Sequence, residues 1–354
     1  MSHPVLSRRA LGLAATVLAL AGLTGLSACG GDSGTGAPSA ANPVPVRLGY
    51  FPNLTHATAV VGVDKGIFAQ QLGNTVKLET KTFNAGPEAI EALLSGAIDA
   101  TYIGPNPAIN AYAQSGGQAV RIVAGSASGG VAFIVKPEIK SVEDLRGKTV
   151  STPQLGNTQD VALRYWLKGK GLTTTKEGGG DVKIKPQANA DIVTAFQSGA
   201  IQGAWVPEPY ASRLTALGGV KLVDERDLWP GGQFVITHLL VSKKFLDAHR
   251  DVVKNLVAGS VAANAWIKAN SQDAQTTINE ALGKITGKPL DAKLTAAAWP
   301  TLTFTDDPLS ASLRVGAQHA EEIGLTKPVD LKDIYDLTLL NEVLKAAGQS
   351  EVNA

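Results

Sequence analysis

The chain has 354 residues, 32 Lys and Arg against 31 Asp and Glu, and only 5% aromatic residues. That balance supplies neither a basic surface for nucleic acid nor a stacking platform for single strands. With 44% hydrophobic residues the chain can bury a substantial core, and its length suits two lobes.

The N-terminal segment reads as an export signal. Ser7-Arg8-Arg9 gives a positive start, residues 10–26 form an apolar stretch, and Leu26-Ser27-Ala28 precedes Cys29, the only cysteine. A cysteine directly after Leu-Ser-Ala resembles a bacterial lipobox, in which the thiol is lipidated and becomes the first mature residue. Residues 1–28 are therefore expected to be a lipoprotein signal peptide. Residues 29–45, rich in Gly, Ser, Ala, Pro and Asn, are expected to be the lipid anchor and a flexible tether. The arginine pair also fits a twin-arginine signal, and both export routes stay open.

From Val46 onward short apolar runs alternate with helical patterns, the signature of α/β folding. Strands are predicted at 46–50, 76–83 and 100–103, and helices at 57–69 and 87–95. The order then returns. Ser95-Gly96-Ala97-Ile98 recurs as Ser198-Gly199-Ala200-Ile201, an offset of 103 residues. The same offset brings Lys65-Gly66 onto Lys168-Gly169 and Tyr102 onto Trp205. It also brings the loop Gly104-Pro105-Asn106-Pro107 onto Pro207-Glu208-Pro209. One register for strand, helix, strand, helix, strand predicts two similar α/β lobes. Two apolar, β-branched runs, 131–135 and 234–241, are predicted to cross between them as a hinge. Lobe one is then discontinuous, 46–133 and 239–354, and lobe two is 134–238. The segment after Lys243 reads as helical and is expected to pack on lobe one.

In open α/β sheets ligands lie at the carboxyl ends of strands, where helices begin. Such turns occur at 51–56, 84–87, 104–107 and 125–130 in lobe one, and at 153–160, 187–191 and 205–209 in lobe two. The candidate ligand residues are Asn53, Thr55, His56, Gly86, Asn106, Gly125, Ser126, Gly156, Asn157, Thr158, Asn189, Trp205 and Glu208. Each also serves as an ordinary turn, cap or core residue, and only convergence of both lobes on one cleft selects the ligand reading. These turns hold no Lys or Arg, so an anion would rest on helix starts, hydroxyls and amides, and a neutral ligand stays possible. Glu208, between two prolines, either meets an ammonium group on the ligand or turns aside to cap a helix. Catalytic patterns are missing: the five histidines lack metal-ligand spacing, and no Gly-x-Ser-x-Gly elbow, P-loop or body cysteine occurs. No enzyme activity, cofactor or metal is expected.

At these loops the chain resembles the nitrate/sulfonate/taurine group of ABC substrate-binding proteins, most of all the aliphatic sulfonate-binding lipoproteins. The resemblance is carried by residues 49–56, Lys65-Gly66-Ile67-Phe68 and Ala89-Ile90-Glu91-Ala92-Leu93 with Gly96-Ala97-Ile98-Asp99. It continues in residues 103–107, Leu145-Arg146-Gly147-Lys148 with Gly156-Asn157-Thr158, and residues 204–209. It covers nearly all of 46–268 and weakens beyond. It implies a type II periplasmic-binding-protein fold and a small-molecule ligand, an organic sulfonate, taurine or a related anion, between the lobes. It further implies an ABC permease and ATPase as partners and a place on the outer face of the cytoplasmic membrane. The group also handles nitrate, bicarbonate, aromatic acids and pyrimidine precursors. Thiamine-pyrimidine synthases share the fold but carry a cysteine-rich motif, and this body has no cysteine.

Overall fold

The computed structural model describes residues 42–354. The expected signal peptide, Cys29 and nearly all of the tether lie outside the described residues.

The first lobe opens with β1 (Val44–Tyr50), a single 3-10 turn, α1 (Ala57–Asp64) and α2 (Ile67–Leu72). One helix is predicted over 57–69, but Gly66, at φ 69°, interrupts it. A left-handed residue ends a helix, and glycine adopts it without a Cβ clash. Next come β2 (Val76–Thr82), α3 (Gly86–Leu94), β3 (Ala100–Ile103), α4 (Pro105–Gln114) and β4 (Val120–Gly129). The second lobe contains β5 (Val131–Val135), β6 (Thr149–Ser151), α5 (Thr158–Gly169), β7 (Lys183–Ile184), α6 (Asn189–Gln197), β8 (Gly203–Pro207), α7 (Tyr210–Ala216) and β9 (Val220–Asp224). The chain then returns through β10 (Val235–Ser242), α8 (Lys243–Ala248), α9 (Arg250–Ala269), α10 (Ser271–Thr286) and α11 (Ala292–Ala298). It ends with β11 (Leu302–Phe304), α12 (Ser310–Glu322) and α13 (Thr338–Ala346).

The strands form two sheets, ordered β11-β4-β10-β3-β1-β2 and β7-β6-β8-β5-β9. β1 runs parallel to β2 and β3, as β6 does to β7 and β8. β10 lies antiparallel between β3 and β4, and β5 lies antiparallel between β8 and β9. The two sheets therefore share one strand order, and α6 covers the same residues as α3 shifted by 103. The chain changes sheet at Gly129-Gly130, both at positive φ, and again between Asp224 and Val235. The expected junctions at 133/134 and 238/239 fall inside β5 and β10, because hydrophobicity marks a strand but not the sheet that receives it.

The segment after Lys243 is mostly helical, with one short strand, β11, added to the first sheet beside β4. α9 packs on α1 and α2. Gly62 and Gly259 allow this close approach, since a Cβ on either would meet the Phe68 ring within 2.5 Å. In the second lobe Phe133 stacks on Trp205 with centroids 5.4 Å apart, and both rings are fully buried.

Three fully buried titratable groups contribute to the acid response. Burial pushes the imidazoles of His56 and His238 down to about 3. Each binds its proton more readily unfolded, so its contribution is whole above pH 6.5 and is lost as pH falls towards 3. Burial pushes the Glu225 carboxyl up to about 7, against hydrogen bonds from Trp205 and Trp229. Its contribution is whole below about pH 4.5 and is lost as pH rises through 7. Between pH 6 and 5 the histidines together cost about 2.4 kcal/mol and Glu225 returns about half of that. Urea unfolding should show a net loss of about 1 kcal/mol over this step from these groups, and about twice that in Glu225→Gln. Equal losses in both proteins would exclude Glu225 from the balance.

Candidate functional site

β1, β2 and β3 end side by side, and so do β6, β7 and β8 in the second sheet. The loops that follow them face one cleft, which spans about 380 Å³ of space free of protein atoms with open solvent included. From the first lobe come Phe51, Asn53, Thr55, His56, Asn84, Ala85, Gly86, Gly104 and Pro107. From the second come Pro153, Asn157, Thr158, Gln159, Asn189 and Pro207, with Ile236 of β10 between them. Every one of these side chains is neutral or, in His56, held neutral by burial.

The cleft's polarity comes from helix starts. α3, α4 and α6 begin after Ala85, Gly104 and Ala188, and none of these three makes a side-chain capping bond. First-turn N–H groups without intrahelical partners are donors with partial positive charge. At α4 proline occupies N1 and N3, and at α3 Pro87 occupies N2, which removes donors at both. α5 is different, because Asn157 Oδ1 accepts from the Asp160 N–H at 2.9 Å and fixes the first turn.

His56 is positioned from within its own loop. Its Nδ1 accepts the Phe51 N–H at 3.3 Å and its ring lies on Phe51, centroids 4.3 Å apart. With Nδ1 accepting, the proton of the neutral ring sits on Nε2, which makes that edge a donor. Thr55 donates to Asn53 Oδ1 at 3.3 Å. Two glycines permit the approaches that shape the cleft. A Cβ at Gly86 would lie 2.2 Å from Pro107 Cγ, and one at Gly104 would lie 2.4 Å from Thr158 Oγ1 of the opposite lobe. Asn189 lines the cleft with its Oδ1 buried and unpartnered among the described residues.

Behind the second-lobe wall stands an ion pair the sequence did not single out. Arg164 Nε donates to Asp160 Oδ2 at 2.9 Å with both side chains buried. Asp160 also accepts from the Thr152 hydroxyl and the Gly156 N–H, each at 2.9 Å, and Arg164 Nη1 donates to the Thr175 carbonyl. One carboxylate thus ties both ends of the 152–156 loop to α5. The signal was an acid at the third position of a capped helix with a base one turn on.

Seven of the thirteen expected ligand positions line the cleft: Asn53, Thr55, His56, Gly86, Asn157, Thr158 and Asn189. The other six do not. Asn106 donates to the Gly316 carbonyl at 3.2 Å and ties α4 to α12. Gly125 lies within β4, paired with His238 of β10, and a Cβ there would meet the Asp307 backbone at 2.2 Å. Ser126 donates to Thr58 Oγ1 at 2.9 Å, beneath α1. The Gly156 N–H serves Asp160. Trp205 is wholly buried and donates from Nε1 to Glu225 at 2.6 Å. The Glu208 carboxylate caps α7, accepting from the Ser212 N–H and hydroxyl at 3.0 Å each. Of the cleft residues outside the expected set, Phe51, Asn84, Ala85, Gly104, Pro107, Pro153, Gln159 and Pro207 stand in loops already marked by position. Ile236, inside an apolar strand, carried no signal. Among the described residues, no group of three or more His, Cys, Asp or Glu is placed to hold a metal ion, and no helix is long and apolar enough to cross a membrane.

Two sheets of one strand order, exchanged antiparallel strands and a cleft at the strand ends define the type II periplasmic-binding-protein fold. The nitrate-binding protein of Synechocystis PCC 6803 superposes with a TM-score of 0.72 at 14% identity, over 86% of this chain and 89% of that one. The alkanesulfonate-binding protein of Xanthomonas axonopodis, solved with MOPS bound, superposes with a TM-score of 0.68 at 21% identity, over 81% and 96%. The chain belongs to the NMT1-like family, whose model matches residues 39–282. In sequence it is 26% identical over 312 residues to a Brucella abortus protein named only as a binding protein, covering 83% of this chain and 91% of that protein. It is 29% identical over 206 residues to the taurine-binding periplasmic protein of Escherichia coli, covering 57% and 61%.

The Asp160–Arg164 pair gives a direct test of the wall. Asp160→Asn strands a buried guanidinium and frees the 152–156 loop, so urea denaturation should show a loss of about 3 kcal/mol. A change below about 1 kcal/mol would mean that the pair does not hold the loop.

Proposed function

We propose that this chain is the extracytoplasmic solute receptor of an ABC importer and that it takes a small organic anion, an aliphatic sulfonate or taurine, in the cleft. The observation that carries this reading is a cleft of neutral donors built on helix starts that lack side-chain caps. Such donors stabilise an oxyanion without a cationic side chain, and they do so best when water is excluded. Binding contacts from Asn53, Thr55, His56, Asn157, Thr158 and Asn189 would come from both lobes, so ligand would favour the closed arrangement by its differential affinity. The receptor would hand its load to a membrane permease driven by an ATPase. The relatives named for taurine, alkanesulfonate and nitrate support the class of ligand and leave the choice within it to experiment.

Calorimetry with ethanesulfonate, taurine and nitrate makes that choice. At least one should bind saturably without turnover, and Thr158→Ala should weaken it by about 1–3 kcal/mol, the loss of one desolvated, charge-assisted contact. Because the Glu208 carboxylate is bonded to Ser212, Glu208→Gln should change taurine and ethanesulfonate equally. Failure of all three anions to bind, with native mass spectrometry showing a neutral passenger, would refute the anion reading.

The anchoring reading rests on Leu26-Ser27-Ala28-Cys29 alone. The protein is expected to fractionate with membranes, and Cys29→Ala to release it or leave it unprocessed. A soluble wild-type protein with an unmodified Cys29 would end this reading.

A further inference from the structure

We propose that a cavity beside the first crossing between the sheets is a second binding site, for a small organic cation with an apolar body, and that Glu208 reads its charge. The inference is independent of the ligand assigned to the cleft. The cavity spans about 880 Å³ of space free of protein atoms, open solvent included, and is lined by β5, α7, β9, α11 and Thr301. Val131, Ile134, Ala211, Leu294 and Ala297 give it apolar walls.

Glu208 contributes the charge. It is only 6% exposed, and its two oxygens accept from the Ser212 N–H and hydroxyl. Each carboxylate oxygen keeps a further acceptor site. Among the described residues no cation forms an ion pair with it. Lys221, the cationic wall residue, stands 2.9 Å from Asp224, which also holds Arg226 at 2.9 Å. Asp224 thus engages two cations, Lys221 and Arg226, and leaves Glu208 as the lining carboxylate to which no cation is bonded. A buried carboxylate with no cation bonded to it is costly, and burial raises the Glu208 pKa although the Ser212 bonds and the charge of Lys221 act against it. An anion would be repelled here. A neutral apolar molecule would fill the walls and leave the carboxylate unpaired. A monocation with an alkyl body satisfies both parts of the cavity.

Calorimetry of the purified full chain with n-butylammonium chloride, against 1-butanol and against sodium chloride at matched ionic strength, tests this. n-Butylammonium should bind saturably and 1-butanol at least tenfold more weakly. Glu208→Gln should weaken n-butylammonium at least tenfold. Ala297→Phe, which fills the cavity from α11, should abolish binding and serves as the test where Glu208→Gln does not fold. No saturable n-butylammonium binding in the wild type overturns the proposal. So does equal affinity for 1-butanol, or binding that survives either folded variant.

Discussion

Two exchanged strands hold the molecule to its shape. β5 follows directly on the last strand laid into the first lobe, yet it pairs between β8 and β9 of the second sheet. β10 follows the last strand of the second lobe, yet it pairs between β3 and β4 of the first. Each sheet is completed by a strand that enters straight from a crossing, so the second has its full ladder only after the first crossing and the first only after the second. An unpaired backbone row buried in a sheet costs free energy at every lost hydrogen bond, which makes the exchange self-enforcing. The exchange also brings the carboxyl ends of the parallel strands of both sheets to a common cleft. Position and chemistry of the cleft follow, because strand ends are where helices start.

The cleft's chemistry is then mostly backbone chemistry. Free N–H groups at α3 and α6 are oriented by their helices and need no side chain to aim them. Side chains have a second task, which is to hold the loops. Asn157 caps α5, His56 accepts the Phe51 N–H, and Asp160 draws Thr152 and Gly156 together. This division explains the lack of charge in the lining. Charge is kept one layer back, where Asp160 and Arg164 neutralise one another and bind loop backbone.

The lobes, their shared succession of strands and helices and the strand-end location of the cleft were legible in the sequence, because each leaves a periodic trace. The 103-residue register brought Ser95-Gly96 onto Ser198-Gly199, and the structure places both pairs at the ends of equivalent helices, α3 and α6. What the register does not carry is direction. Asn53 and Ser126 are both small polar residues in glycine-containing or proline-containing loops, yet Asn53 faces the cleft and Ser126 faces α1. Gly66 dividing one predicted helix into two, and Ile236 reaching the cleft from an apolar strand, are equally matters of local geometry. Glu208 is the clearest case. Its backbone sits between the lobes, with its N–H on the Gly130 carbonyl and its carbonyl taking the Leu54 N–H. Its side chain nevertheless leaves the cleft to cap α7.

Ser126 shows how a residue outside the cleft still acts on it. Ser126 donates to Thr58 at 2.9 Å, Thr58 donates to Asn264 Oδ1 at 2.6 Å, and Asn264 donates to Asp306 at 2.8 Å. Thr58 lies in the first turn of α1, two residues after His56. The chain of bonds therefore runs from β4 through the start of α1 to α9 and the segment after β11. All four side chains are buried, and each bond satisfies a group that would otherwise be desolvated without a partner. A buried network of this kind tolerates one arrangement, because shifting any member leaves a polar atom unpaired. The start of α1 is thus fixed from behind by side chains while its front meets the cleft through Thr55 and His56. α9 and the segment after β11 reach the loops that line the cleft by this route: α9 holds the backbone from which they project.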